Sequence, residues 1–571
     1  MTEPTTIYVA KKIVTMNGYL PEATAVAVRE GKILCVGTLE ECQMWGKATI
    51  DDTFQDRVLV PGFVEGHGHT AQGALAIMPY VGFYEAPQAD GSIARGIKDY
   101  DELIARLKEI DARLPPGEPI YANGFDPIYF TGQPRLDRTY LDQVSTTRQI
   151  VIRHASGHLA TANSLALKEE NITRDTATPG VAKDPDGEPN GELQEAPAMG
   201  LAKRFFSTAA QYSLRLEGLK DYGMLCCNAG VTTTTELVGM ALLFPSVNEQ
   251  WQEIVDDPAF PARMIMYNVP GMPGAPADYA NMAKKTMELK ESNSAKYRTQ
   301  GIKLVLDGSI QGWTAAMLWP GYMTGLDQGL PMYPSEELAA MLKVFHRARL
   351  NVHAHCNGNA VGQQFIDAVE DALIDYPWLN HRHTLSHSQT TTPAQYKKMA
   401  RLGMCCNIFT NHIWYWGDQH YEQTMGPELT KRMWACRTAL REGVNMSFHS
   451  DAGVTPVGHL MTMWCAVNRL TPSGRVLGEV EKLTPYEALY AATLGCAYQL
   501  HLDHELGSIE AGKWADFAVL DTSPLDVKPI EIRNINVWGT VVGGVKYQAA
   551  KPQVGAKENG TVTAVPGQKS S

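Results

Sequence analysis

The sequence predicts an α/β architecture in which a parallel sheet or barrel fills the middle of the chain and two β-rich segments flank it. Three observations carry this expectation. The middle alternates strand-like apolar runs with helical patterns, as in YRTQGIKLVLDGS, SEELAAMLKVFHRARLNVHAHCNG, AVGQQFIDAVEDALIDY, RHTLSHSQ and PAQYKKMARLGMCCNIF. That alternation is the signature of parallel strands joined by crossover helices. The first 60 residues hold short β-like runs between turn signals, TIYVAKKIVTM, ATAVAVREGKILCVGT and DRVLVPGFVEGHGH. Near the other end, GSIEAGKWADFAVLD and INVWGTVVGGVKYQ repeat the style, with Val-rich strands punctuated by Gly.

Taken in order, residues 1–60 and 507–550 each offer too few strands for a core of their own, since isolated hairpins are marginal in water. They are expected to fold together as one composite β-sandwich. Residues 61–506 form the α/β body, interrupted at about 71–215 by a less regular insertion with turn clusters such as DPDGEPNGE. Residues 551–571, polar and rich in Gly, Pro and Lys, read as a flexible tail. The length of 571 residues suits three or four domains of about 150 residues, or one large barrel with additions.

Composition narrows the classes. With 44% apolar and 20% charged residues the chain is neither disordered nor fibrous. A net charge of −12 without a basic cluster argues against a nucleic-acid partner. No signal-peptide core opens the chain and no 18 apolar residues follow one another, so a cytoplasmic, non-membrane protein is expected. The ten cysteines, including the neighbours Cys226/Cys227 and Cys405/Cys406, are too sparse and irregular for a disulfide framework and show no CxxC spacing. They read as buried thiols.

The chemistry concentrates at the ends of apolar runs. In VPGFVEGHGHT a strand ends in His67 and His69. Residues i and i+2 of a strand project to one face, so both imidazoles can reach one metal ion. Further candidate ligands stand where later runs end: Lys303 in GIKLVLDGS, His355 in LNVHAHCNG, His387 in RHTLSHSQ and Asp451 in NMSFHSDAGV. Their spacings amount to about one, one and two βα units, which suits strands four, five, six and eight of a (β/α)8 barrel, whose active site lies at the C-terminal ends of its strands.

PGFVEGHGH, EATAVAVREGKILCVG, GHLATANSLAL, AGVTTTTE, IKLVLDGSIQGWTA, HAHCNGNA, LSHSQT, SDAGVTP and GSIEAGKWADFAVLD form a series, over nearly the whole chain, that resembles the amidohydrolase superfamily. Within it the likeness is to amidohydrolase family 3, the YtcJ-like branch that includes N-substituted formamide deformylases. The resemblance implies an α/β fold, a (β/α)8 TIM-type barrel, carrying the small composite β-sandwich from both termini and the insertion after strand 1. It also implies a divalent metal centre of two zinc ions, with iron or manganese as alternatives, held by His67, His69, Lys303, His355, His387 and Asp451. In many members the strand-four lysine is carboxylated by carbon dioxide, and the implied carbamate on Lys303 would bridge two metals. Imidazole and carboxylate suit zinc, which lowers the pKa of bound water to about 7. A second metal or an imidazole would polarise the carbonyl. Asp451 would take the proton of the attacking water and pass it to the leaving nitrogen.

Some positions depart from the family. Residue 65 is Glu where Asp is usual, 359 is Asn where Asp is commoner, and Ser156 replaces a frequent Asp. The first two should alter ligand orientation and the third substrate preference. His158 matches a pocket-lining position and is expected to contact substrate. His353 and His449, each two residues before a predicted ligand, read as packed or supporting residues. NHIWYWGDQHYEQ, a loop-like stretch after strand seven, offers His412, Trp414, Trp416, Asp418 and His420. Its mixture of rings and polar tips suits a substrate pocket, with His412 and Trp416 as contacts.

The leading expectation is a metal-dependent hydrolase of a non-peptide carbon–nitrogen bond, an N-acyl or N-formyl amide with a hydrophobic portion. The alternative is a deaminase or dechlorinase of a heteroaromatic ring with one metal. A non-catalytic binding protein on the same barrel is disfavoured because all six ligand positions are filled. The partner is a small-molecule amide, and a homodimer is the base-rate expectation.

Overall fold

A computed structural model describes residues 4–70, 78–213, 216–242, 244–271, 277–325, 329 and 331–550. The predicted tail at 551–571 and the start of the insertion at 71–77 lie outside the described residues. The chain divides into two compact units, one of residues 1–69, 223–452 and 457–550, the other of 70–222 and 453–456.

In chain order, β1 (Thr5–Val14), β2 (Glu22–Arg29), β3 (Lys32–Gly37) and β4 (Ala48–Pro61) open the first unit, followed by the short β5 (Phe63–Val64). The second unit holds β6 (Ala86–Pro87), β7 (Ile93–Ala94), β8 (Ile120–Phe125), β9 (Ile150–His154), β10 (Leu159–Ala162), β11 (Val181–Lys183) and β12 (Pro189–Gln194). The first unit resumes with β13 (Val231–Gly239), β14 (Arg263–Asn268), β15 (Tyr297–Val305), β16 (Asn351–Cys356), β17 (Thr384–His387), β18 (Cys405–Ile408) and β19 (Asn445–Phe448). It closes with β20 (Phe517–Leu520), β21 (Val537–Val542) and β22 (Val545–Gln548).

The strands of both termini share one sheet of order β22-β21-β20-β4-β1-β2-β3. Among the described residues these strands form a single hydrogen-bonded sheet whose two ends approach each other, the Tyr8 hydroxyl donating to the Gly544 carbonyl at 2.7 Å. Its alternation serves two apolar clusters, because successive side chains of a strand point to opposite faces. Tyr8, Val26, Val28, Phe54 and Leu59 join Phe517, Val519 and Val541 in one, while Ile7, Ala25, Ala27 and Cys42 form the other. The run DRVLVPGFV, continuous in sequence, is split at Gly62: β4 belongs to the terminal sheet and β5 to the next one. A Cβ at Gly62 would collide with the side chain of Thr232, so only glycine lets the chain pass there.

The second sheet contains β5 and β13 through β19 in sequence order, every neighbouring pair parallel. This is the strand order of a TIM-type barrel. Between β19 and β5 the closing backbone contact is a bridge from Gly68 to Ala452. Side chains span the rest of that seam. Gln499 Nε2 donates to the Gly66 carbonyl at 3.0 Å, Cys496 Sγ lies 3.1 Å from the Phe448 carbonyl, and Ser450 donates N–H and O–H to Glu65 at 2.9 and 2.5 Å.

The second unit carries a five-stranded sheet of order β11-β12-β10-β9-β8, in which β8 and β9 are parallel and the remaining pairs antiparallel. Leu103, Leu107, Ile120, Phe125, Ile150 and Ile152 form a core against it. The ten cysteines are free thiols, nine of them buried. Among the described residues no helix is long and apolar enough to cross a membrane.

The segment that leads into β20 is also tied to the barrel. Arg263, at the start of β14, donates to both Asp516 carboxylate oxygens at 2.6 and 3.0 Å and stacks 4.4 Å from the Trp514 ring. Both members of the pair are buried. Deleting residues 507–571 would therefore bare Leu59 and Phe54 and strand the Arg263 guanidinium, a loss of roughly 3–5 kcal/mol for the charge alone. Insoluble or unfolded protein is expected, whereas removal of 551–571 should leave the melting temperature and activity unchanged. A soluble, active 1–506 fragment would overturn the shared sheet as a folding requirement.

Candidate metal centre

The predicted ligands converge at the C-terminal ends of the barrel strands. His67 and His69 follow β5, Lys303 lies two residues from the end of β15, His355 one from the end of β16, His387 ends β17, and Asp451 follows β19. His387 and Asp451 have φ of 70° and 51°, left-handed values unusual for residues other than glycine. Such conformations collect at functional sites, where the surroundings hold them in place. Here they turn two side chains into the mouth of the barrel.

The donor atoms form two overlapping groups. Those of His67, His69 and Asp451 lie within 4.8 Å of one another, as do those of His67, His387 and His449. Asp451 Oδ1 is 3.1 Å from His69 Nε2 and 3.7 Å from His67 Nε2. His355 joins through Nδ1, 2.8 Å from His387 Nε2, and His387 Nδ1 lies 3.0 Å from His449 Nε2. Lys303 Nζ sits 2.8 Å from His67 Nε2.

Burial sets the electrostatics. It pushes His67 and His387 well below the usual histidine range, assisted at His67 by Lys303 and at His387 by His355. It carries His449 down to about 3 and Lys303 down to about 7. These imidazoles are neutral near pH 7, the form that ligates metal. Burial alone would raise Asp451, but the bond from His69 and the charges of His69, His449 and Lys303 outweigh it and hold the carboxyl well below its usual range. His69 runs the other way: burial lowers it, and Asp451 and Glu236 raise it more. Burial lifts Glu65 to about 8 against the two bonds from Ser450.

The set fits a divalent cation. Imidazole nitrogens and a carboxylate oxygen face one another, and His449 Nδ1 is buried without a hydrogen-bond partner among the described residues. The outward nitrogens are anchored as metal-binding histidines require: His69 Nδ1 is 3.5 Å from Glu236 Oε1, and His355 Nε2 is 3.2 Å from the Gly308 carbonyl and 3.5 Å from Asp307. Asp307 accepts the backbone N–H groups of Ala316, Asn357 and Gly358, which fixes the loops after β15 and β16.

Two residues at the centre were not among the predicted ligands. His449 stacks on His67, with ring centroids 4.9 Å apart; its HxD spacing to Asp451 is the only local signal. Glu236, fully buried, ends the TTTTE run, and a lone charge inside an otherwise neutral strand is the clue. Of the remaining predicted contacts, one lies in the second unit and two follow β18. His158 belongs to the second unit, where its Nδ1 is 2.8 Å from Glu195 Oε2. His412 and Trp416 are 1% exposed and pack on each other at 4.3 Å. Their segment, expected to be a loop, consists of helical turns, His412–Tyr415, Gly417–Gln419 and His420–Thr424.

The sequence has relatives along nearly its full length. N-substituted formamide deformylase of Arthrobacter pascens is 26% identical over 521 residues, 88% of this chain and 90% of that protein. The putative amidohydrolase YtcJ of Bacillus subtilis (strain 168) is 23% identical over 517 residues, 88% and 91% of the two chains. Among solved structures, an uncharacterized metal-dependent hydrolase from Pyrococcus horikoshii OT3 matches with a TM-score of 0.70 at 19% identity, covering 92% of this chain and 99% of that one. A sequence model of the amidohydrolase family matches residues 55–546, from the middle of β4 into β22. With barrel, donor cluster and family match in agreement, the chain belongs to the amidohydrolase family and is a hydrolase of carbon–nitrogen bonds.

Proposed function

We propose that the protein hydrolyses an N-acyl or N-formyl amide with a hydrophobic portion, using a metal centre held by His67, His69, Lys303, His355, His387 and Asp451. The observation that carries this reading is the convergence of Asp451 with His67 and His69 within 4.8 Å at the mouth of the barrel. The substrate class draws on the deformylase relative. A divalent cation bound there, zinc or else iron or manganese, supplies a Lewis acid and lowers the pKa of water to about 7.

The chain's own groups manage the protons. Asp451 stays ionised and offers Oδ1 to the proton of the attacking water, then returns it to the leaving nitrogen, so the neutral amine departs. Glu236 holds His69 by Nδ1, and His69 holds Asp451 from its other nitrogen. Lys303 has a neutral amine in reach near pH 7. Its nitrogen can add to carbon dioxide with loss of a proton, giving a carbamate whose oxygens suit a second cation.

The test pairs elemental analysis of purified protein with a panel of N-alkyl and N-aryl formamides and acetamides, read as released amine. Metal-dependent amine release, lost in His67→Ala/His69→Ala, is expected. No turnover across the panel, with ammonia released from an aminated heterocycle, would overturn the amide reading in favour of a deaminase.

A further inference from the structure

Behind His355 runs a chain of buried side-chain hydrogen bonds whose direction can be read from two groups with fixed roles. Trp434 Nε1 can only donate, and it lies 3.2 Å from Gln389 Oε1. The Gln389 amide nitrogen must then face the other way, 2.5 Å from Asn357 Oδ1 and 3.5 Å from His412 Nε2. A carbonyl can only accept, and that of Gly308 lies 2.7 Å from Asn357 Nδ2, which sets the Asn357 amide in the same sense. Two independent anchors thus agree on one arrangement.

The consequences extend both ways. Asn357 Nδ2 packs 3.0 Å from His355 Nε2, beside the Gly308 carbonyl that both approach. On the other side, a donor from Gln389 makes His412 Nε2 an acceptor. The His412 proton is then on Nδ1, 3.2 Å from His420 Nε2, and the His420 proton is on Nδ1, 2.8 Å from Thr424 Oγ1. Burial lowers both rings, His420 to about 3, so each carries one proton. Trp434 is itself pinned: Arg469, fully buried, donates to its carbonyl and to that of Met433 at 2.8 Å each, and the Trp434 N–H donates to the Gln389 carbonyl at 2.9 Å.

We propose that Gln389 is a positioning residue that holds Asn357 against His355 and fixes the His412–His420 pair with both protons on Nδ1. His412 on this view acts through the network and not by touching substrate. The metal-binding half of the proposal rests on His355 being a ligand; the tautomer half does not.

The test uses the full-length protein and its Gln389→Met and Trp434→Phe variants, with three readouts: zinc affinity by chelator competition, two-bond ¹H–¹⁵N correlations of the His412 and His420 rings, and melting temperature. Gln389→Met is expected to weaken zinc binding about 10- to 100-fold, the usual cost of losing a partner behind a ligand, and to move ring protons off Nδ1. Trp434→Phe, which frees the Gln389 amide to turn, should give the same changes at smaller size. Unchanged zinc affinity, within about twofold, or unchanged ring tautomers in a folded Gln389→Met protein overturns the proposal. If that variant does not fold, Trp434→Phe decides by the same readouts. Wild-type protein that binds no zinc would reject the ligand reading, while the ring signals would still decide the role of Gln389.

Discussion

Asp451→Asn is expected to keep the fold and bound metal while lowering kcat/KM by about 10²- to 10⁴-fold, the range for loss of a general base. The substitution preserves shape, so the seam contacts at Ser450 and the left-handed turn at residue 451 have no steric reason to change. What it removes is proton affinity: an amide cannot accept the proton of the attacking water. It also removes one negative charge beside His69, whose protonated form that charge favours. The acid limb of the rate profile should therefore move as well as the maximum. Steady-state kinetics alongside metal analysis separate the two effects. Activity within about tenfold of wild type, at equal metal content, would reject Asp451 as the base.

Lys303→Ala is expected to lose both metal and activity, with partial rescue by added acetate or propionate. The amine is fully buried, with the nitrogens of His67 at 2.8 and 3.4 Å. An ammonium there would repel any cation the imidazoles bind. Desolvation favours the neutral amine, and carbamylation converts it into an anionic oxygen donor. A short carboxylate can stand in for that donor when the side chain is cut back, though not for its tether. Bound carbon dioxide should be visible as a carbamate ¹³C resonance after growth on labelled bicarbonate. One metal per chain in fully active enzyme, with no such resonance, would sink the binuclear arrangement.

The convergence of these candidate ligands could be read from the sequence because a parallel barrel gathers the residues at its strand ends. His67 and His69 announced themselves by an i, i+2 spacing, and Lys303, His355, His387 and Asp451 each stood at or near the end of an apolar run. Glu236 and His449 were harder to read because their importance lies in what they face across the barrel, and neither spacing nor periodicity encodes a cross-barrel neighbour. The His412–Thr424 segment, expected to be a loop and found as helical turns, was ambiguous for a different reason. Its rings and polar tips are the composition of a pocket wall and equally of a buried polar network, and burial alone separates the two. The insertion resisted because its strands run to only two to six residues, too short for alternation to stand out. The junction at Gly62 was hidden because VLVPGFV is one unbroken β-like stretch, although the chain changes sheets in its middle.

The pairing of β4 with β20 has a consequence for biosynthesis. Pro61 meets Phe517, so the partner strand arrives 517 − 61 = 456 residues later. At about 5–20 residues per second, the edge of β4 waits roughly 20–90 s on the ribosome for its neighbour. During that interval Val58, Leu59 and Val60 offer open backbone groups on an apolar strand, the template that promotes aggregation. The charges of Asp51, Asp52, Asp56 and Arg57, placed just ahead of that tripeptide, are the gatekeepers such a strand needs while it is alone. A nascent chain stalled before residue 517 should therefore be held by chaperones, and released once β20 has emerged.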